Sequence, residues 1–360
     1  GSGAGHADRL HPLRCKANGA CITLGFVQRR GGGACWRCQG RSGAAVQMEP
    51  NLQFWISERQ AFFRRFCQWM DLLDPVNMFI SIGSIEKSRQ LLFTTEDAPK
   101  HYLDNQVIKD AWNKSLSTVH PDSSKLIPHL FRPAAFLPVT APMVFLLMMP
   151  DTGIKSIILT QGCLYGYTTA FNITNGNASY SHGPVERTLL GAGVSVSSTF
   201  IGLIPHLFQM KYPPNNFWLK RTLPIVFLAQ VSGMNVFASR SFENHRGIEV
   251  MDKEGHVVGH SRKAGRKAIK DTAKSRAVLF GTSALAPELF IHIFKRTRFY
   301  PQTLLSLVIL RMSSTFFMMG LMVPVSFSMF PQIGQIQCSQ LEEKIQSSTE
   351  EKELFYYRGV

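Results

Sequence analysis

The amino-acid sequence predicts an all-α multi-pass membrane protein with about five transmembrane helices plus one polar irregular helix, and a small β-hairpin in an extramembrane loop. Three observations predict it. Apolar blocks of about 17–22 residues recur, long enough as helices to cross a hydrocarbon core of roughly 30 Å. Basic stretches alternate with these blocks, so the overall hydropathy is neutral although 45% of the residues are hydrophobic. Between the fourth and fifth blocks of fuller apolar character, two short β-branched runs flank Asp252-Lys253-Glu254-Gly255, a composition that closes a hairpin. The competing reading is a soluble helical protein with large buried helices.

Residues 1–47 carry seven Lys/Arg against one acid and no methionine. Rich in Gly, Arg and Cys, with little apolar periodicity, they read as a disordered extension. That extension is either transit-like or upstream sequence that is not translated. Cys35-x-x-Cys38, with Cys15 and Cys21, lacks a second pair at finger or ribbon spacing, so no metal site and no cofactor is expected.

Residues 48–132 form a helical extramembrane domain in which acids and bases balance. Asn51–Leu73 reads as one amphipathic helix, with Trp55, Phe62, Phe66, Trp69 and Leu73 on a face and Arg59, Arg64 and Arg65 nearby. Such a helix either lies in a membrane interface or packs on its own domain. Asp74-Pro75-Val76-Asn77 stops it, because proline interrupts helical hydrogen bonding. Helical stretches follow at about 85–93 and 104–118. His120-Pro121-Asp122-Ser123 is a turn, with Asp122 placed to cap whatever starts next.

Residues 133–238 hold the first membrane helices, with apolar segments at about 133–149, 156–174, 188–209 and 222–238. The 156–174 segment is the polar one: Gln161, several threonines and Asn172 make it a re-entrant, interfacial or inward-facing helix. Residues 239–276 form a basic loop, ten Lys/Arg against five acids, with the hairpin over Gly247–Ser261 and a helix capped by Ser261. Residues 277–330 contain the last two spans, at about 277–294 and 303–325. Residues 331–360 are an acidic tail, solvated and helical between Leu341 and Glu353.

The formal charge of +15 would suit nucleic acid, but no nucleic-acid-binding module accompanies it. Basic residues beside apolar spans instead suit anionic headgroups of inner-membrane lipid, cardiolipin among them. Basic loops flank both sides of a five-span count, so charge bias assigns no orientation. Polar groups inside spans are functional candidates because they cost free energy there. Glu288 and His292, four apart, share a helix face, and Pro287 before them frees backbone carbonyls. They are either a proton-coupled site or a polar pair holding helices together. Asn172, Asn177, Asn235 and Arg240 join them as candidates for a substrate path; Asn235 and Gln230 need interior partners, and Arg311 a carboxylate such as Glu288. No phosphate-binding glycine loop and no nucleophile with a base is present, so no catalytic residue is assigned and no enzyme is expected.

Taken in order, several landmarks resemble the sideroflexins: Asp74-Pro75-x-Asn77, His120-Pro121-Asp122, Asn235 with Arg240 and Glu243, the Gly247–Ser261 hairpin, Ser275-Arg276, Pro324, Phe330-Pro331-Gln332 and the terminal Tyr-Arg-Gly-Val. The resemblance covers about 51–360. It implies a mitochondrial inner-membrane protein, and structural roles for Asp74, Pro75, Asn77, His120, Pro121, Asp122 and Pro331. The family is linked to carrying serine and related small amino acids and to iron and one-carbon metabolism. This chain departs from the transporting pattern. Gly162-Cys163-Leu164 and Gly166-Tyr167 stand where the family has Trp-x-Trp and Asn-Gln, and Ala170 and Thr174 replace two asparagines. Phe237 replaces a proline and Ser123 a threonine, while Asn177 remains. Loss of those amides removes partners for a zwitterion and argues against serine. The divergent pattern implies support of respiratory complex I assembly, through contact with its assembly intermediates, and of iron–sulfur homeostasis, with iron effects indirect. Carriage of another small amino acid or related metabolite is the alternative.

Overall fold

The computed structural model describes residues 49–57, 61–95, 106–149, 153–178, 183–212, 216–297 and 303–360. The expectations for residues 1–47, for Arg59 and for the start of the 104–118 helix lie outside the described residues.

Two helices replace the single amphipathic one. Helix α1 (Pro50–Ser57) and helix α2 (Phe62–Leu72) are separated by an extended Ala61, ψ 155°. Trp55 stacks on Trp69 with ring centroids 6.0 Å apart; fourteen residues of one straight helix would hold them about 21 Å apart. The following motif then does local work. Asp74 Oδ1 accepts from the Val76 N–H (2.9 Å), Pro75 opens a 3₁₀ turn (Pro75–Phe79), and Asn77 Nδ2 donates to the Asp71 and Leu72 carbonyls that end α2. Helices α3 (Ile82–Thr95) and α4 (Gln106–Thr118) pair beside it. Arg132, 2% exposed, fastens this domain to the membrane bundle by donating to the carbonyls of Ile127, Asn77, Met78 and Ile80.

The bundle follows: α5 (Pro133–Leu147), α6 (Ile154–Asn175), α7 (Pro184–Lys211), α8 (Phe217–Ser239), a short α9 (Ser241–Arg246), α10 (Arg262–Phe294) and α11 (Leu304–Ser328). Helices α7, α8, α10 and α11 are long and apolar enough to cross a membrane, and α5 is a shorter apolar helix. The polar segment is not irregular. Helix α6 runs unbroken for 22 residues, because its threonines satisfy themselves on the preceding turn, Thr168 on Leu164 (2.9 Å) and Thr174 on Ala170 (2.8 Å). Thr160, Gln161, Thr169 and Asn172 face inward and are buried. Helix α10 is 33 residues long and passes straight through Pro287, so the basic helix after Ser261 and the fifth span are one element. Phe136, Phe171, Phe280 and Phe327 pack between the helices.

The hairpin forms as β1 (Ile248–Met251) and β2 (Val257–Ser261), and Gly247 enters it at φ 86°, where a side chain would be strained. It does not stand alone. After α11, β3 (Ile333–Gln337) and β4 (Glu353–Tyr357) complete a four-stranded antiparallel sheet in the order β2-β1-β4-β3. Between Leu341 and Glu353 most residues are exposed, but the stretch is not mainly helical: only α12 (Glu343–Gln346) is helical there, and Leu341 and Ile345, with Leu354 after them, are buried against Ile248, Val250 and Ala268. Glu342 Oε1 accepts from the N–H groups of Arg262 and Lys263, so the acidic tail caps the N-terminus of α10. Removal of residues 353–360 takes out a central strand, and the truncated chain is expected to elute as aggregate on size exclusion in mild detergent where the full chain is monodisperse.

Candidate functional site

Sequence candidates separate into three places. The first is a buried polar knot at the end of the bundle where α6 and α8 finish. Arg240, 2% exposed, donates through Nε and Nη2 to the two carboxylate oxygens of Glu243 (2.7 Å each), through Nη1 to Thr272 (3.2 Å) and through Nη2 to the Arg358 carbonyl (2.6 Å). Arg358 in turn donates to the carbonyls of Pro331 and Phe327 and to Gln332 Oε1. Burial, with Arg240 beside it, pulls the Arg358 guanidinium down to about 10, still a cation at neutral pH. Asn177 joins the knot: its N–H donates to Glu243 (3.1 Å) and its Nδ2 to the Tyr357 carbonyl (3.1 Å).

His120 lies in the same place, 3% exposed and edge-on to Tyr357. Its Nδ1 accepts from the N–H groups of Asp122 and Ser123 (3.2 Å each) and its Nε2 meets the Gly176 carbonyl at 2.8 Å. Two donors on one nitrogen and an acceptor on the other require the neutral ring with its proton on Nε2. Asp122 does not cap the next element. Its Oδ2 accepts from the Ala178 N–H (2.7 Å), tying the turn to the loop after α6. His120 therefore has no catalytic geometry: both nitrogens are committed to backbone.

The second place lies about one helical turn into the bundle from the knot, near the ends of α6 and α8. Asn172 Nδ2 donates to Asn235 Oδ1 (3.2 Å), and Asn235 Nδ2 donates to Thr169 (2.7 Å) and Ser198 (3.1 Å). Both asparagines are buried, so these amides are sealed by each other. The third place is the opposite end, where α8 begins and α5 ends. Glu288 pairs with Arg311 (2.8 Å) and stands 3.8 Å from Arg221, and Arg311 also donates to the Met148 carbonyl. His292 turns elsewhere, its ring 4.7 Å from that of Trp218. Glu288 and His292 thus do not form a proton-coupled pair.

The sequence marks Gln161 only as part of the polarity of the 156–174 segment, and Tyr165 not at all. Gln161 Nε2 donates to the Gly202 carbonyl (2.9 Å), while Gln161 Oε1 and the Tyr165 hydroxyl are buried with no hydrogen-bond partner among the described residues. They border a water-sized gap, with His206, Gly202 and Leu228 around it. Among the described residues, one group has metal-ligand proximity: Asp252, Glu254 and His256 in the hairpin turn. Asp252 Oδ1 is occupied there by the N–H groups of Glu254 and His256, which is ordinary turn chemistry.

Comparison with known proteins decides the family. A family model described as sideroflexins matches residues 49–360. The chain belongs to the sideroflexin family. It is 62% identical to Sideroflexin-4 of Bos taurus over 87% of this chain and the whole of that protein. Identity to Sideroflexin-4 of Homo sapiens is 60%, covering 89% of this chain and 95% of the relative. Sideroflexin-5 of Homo sapiens is 27% identical over 84% and 91%. No solved structure matches.

As a sideroflexin the chain gains a physical account of its dispersed landmarks. His120, Asp122, Asn177, Arg240, Glu243, Pro331-Gln332 and the terminal Tyr357-Arg358 all meet in the one knot. Two expectations follow. Glu243→Gln leaves the buried Arg240 charge without its counter-ion and is expected to lower stability by about 3–5 kcal/mol, measured as thermal unfolding of the purified protein in detergent. Burial, opposed by Asp122 and the Gly176 carbonyl, lowers the His120 pKa below the ordinary histidine value of 6.5. The unfolded chain then binds the proton more readily, so the contribution is whole above about pH 6.5 and declines as pH falls. Between pH 7.5 and 5.5 the wild type is expected to lose thermal stability that His120→Gln, lower at both values, does not lose further.

Proposed function

We infer that this sideroflexin resides in the mitochondrial inner membrane and supports assembly of respiratory complex I, with iron–sulfur homeostasis following from that role, and that it does not carry serine. The observation that carries this reading is the closure of the polar interior. A zwitterion leaving water needs an acceptor for its ammonium and donors for its carboxylate. Asn172 and Asn235 spend their amide groups on each other and on Thr169 and Ser198, and Glu288 is held by arginines. Beside them, among the described residues, Gln161, Tyr165 and His206 border a water-sized gap, far below the volume of an ordinary small-molecule site. A closed bundle with a large folded extramembrane portion, two domains stitched to the membrane helices, suits a protein that holds other proteins.

One observation favours a carrier for another small amino acid or related metabolite: Gln161 Oε1 and the Tyr165 hydroxyl, orphaned beside His206, are an acceptor and a donor aimed into the same gap. Uptake of a labelled amino-acid panel by the purified protein in liposomes separates the readings. The expected result is no uptake beside an active family member reconstituted in parallel, with the tagged full chain co-purifying with complex I assembly intermediates from mitochondria. Saturable uptake that Gln161→Ala abolishes would overturn the assembly reading.

A further inference from the structure

Among the described residues, a group of large apolar side chains on the N-terminal domain is exposed. Phe63 and Phe79 are each 73% exposed, Val76 is 71% exposed, and Met70 and Leu130 are about half exposed. Around α2, at about 3.6 residues per turn, three arcs are distinct. Trp69 and Leu72 are buried against the bundle; Phe63, Cys67 and Met70 share the next arc and are exposed; Arg64 and Asp71 hold the third. An arc of exposed aromatic and sulfur side chains between a packed face and a charged face is the pattern of a helix lying in a bilayer interface.

Position says which surface covers that arc. Helix α2 lies across the end of α11: Arg65 Nε donates to the carbonyl of Ser328, the last residue of that span, and Trp69 meets Phe327 edge-on at 5.0 Å. The Pro75–Phe79 turn is held to the start of α5 by Arg132, the residue that precedes its first turn. The end of α11 and the start of α5 mark one boundary of the spans, and α11 exposes Phe316, Phe317 and Leu321 on its approach to it. The exposed group thus lies at the boundary of the spans, beside the end of α11 and the start of α5.

We propose that α2 and the Pro75–Phe79 turn are an interfacial anchor, with Phe63, Met70, Val76 and Phe79 at the headgroup–acyl boundary of the bilayer that the spans cross and Arg64 among the headgroups. The anchor fixes the N-terminal domain against the membrane and leaves α4, where the Lys109 side chain is 61% exposed, towards water.

Cys67 is exposed on the apolar arc and serves as reporter. The full chain, with Cys163 and the four N-terminal cysteines replaced by serine and the buried Cys338 kept, would carry a nitroxide at Cys67 in liposomes of phosphatidylcholine and cardiolipin. Collision with oxygen, which concentrates in lipid, is expected to exceed collision with a water-soluble nickel chelate several-fold, and a label at Lys109→Cys in a Cys67→Ser background is expected to show the reverse. Phe63→Glu with Met70→Glu, both at exposed positions that folding does not need, should move the Cys67 label towards nickel. Equal nickel access at the two sites, or an unchanged ratio in the double variant, overturns the anchor. Protection of Cys67 from both reagents overturns it in favour of a second copy of the chain on this face.

Discussion

Arg240 carries its charge out of water at the point where four separate stretches of the chain converge, and that is tolerable only with a complete set of partners. Its guanidinium binds Glu243, three residues away on α9, which fixes the turn between α8 and the hairpin. It reaches Thr272 on α10 and the carbonyl of Arg358 near the C-terminus. Everything that must come close enough to serve it is thereby positioned. Gly176 and Gly359 show how tight this is: a Cβ on Gly176 would meet Glu243 Oε1 at 2.9 Å, and one on Gly359, which is at φ 76°, would meet Arg240 Nη2 at 2.9 Å. Small residues at those two positions let the loop after α6 and the end of the chain approach the charge.

A second buried cation lies at the same end of the spans, among the first turn of α5 and the last turns of α6 and α11. Arg276 on α10 is 2% exposed and lies over the rings of Phe327 (4.3 Å), Phe136 (5.0 Å) and Phe171 (5.8 Å). Those rings belong to α11, α5 and α6, so one guanidinium gathers three helices by attraction to their faces. Its Nη1 reaches Ser326 at 3.5 Å, while Nε and Nη2 have no polar partner among the described residues. The long helix α10 thus organises the protein in both layers: its first turns support the sheet through Ala264 and Ala268, and its later turns support the spans.

The membrane class, the hairpin and the places of the apolar segments were legible because each depends on local composition, whereas the merging of the fifth segment with the basic helix before it into α10 was not. Apolar length marks a span wherever it sits, and Asp252 to Gly255 closes a turn without help. The tail was not legible. Lys344, Glu350 and Glu351 are exposed as their charge suggests, whereas the residues that decide its place lie beyond them: Tyr356 pairs with Val250 about a hundred positions earlier, and Leu354 is buried in the same cluster. Asn235 was rightly read as needing interior partners, and Arg311 as needing Glu288, since a buried polar group must be satisfied somewhere. Which partner it finds is a matter of packing. Asn177 and Arg240 read as substrate contacts for the same reason that they are knot residues: both roles ask for polar groups at the end of a span. Gln161 was hidden because a single amide within a polar helix is no signal; only its orphaned oxygen distinguishes it.

The two ends of the bundle are fastened unequally, and this bears on what the protein can do. At the knot, α6, α8, α10 and the C-terminus share multidentate contacts whose charged members are all nearly dry, so separating them would strand Arg240 or Arg358. At the other end, Glu288 is close to Arg311, but Arg221 stands at 3.8 Å with its side chain 25% exposed, a pairing that water can replace. A carrier working by alternating access must open towards both sides in turn. The knot holds the larger number of buried polar contacts, and the extramembrane sheet is tied to that end through Tyr357 and Arg358. On the reading proposed above, that firmly tied end would present the folded extramembrane portion rigidly to a partner.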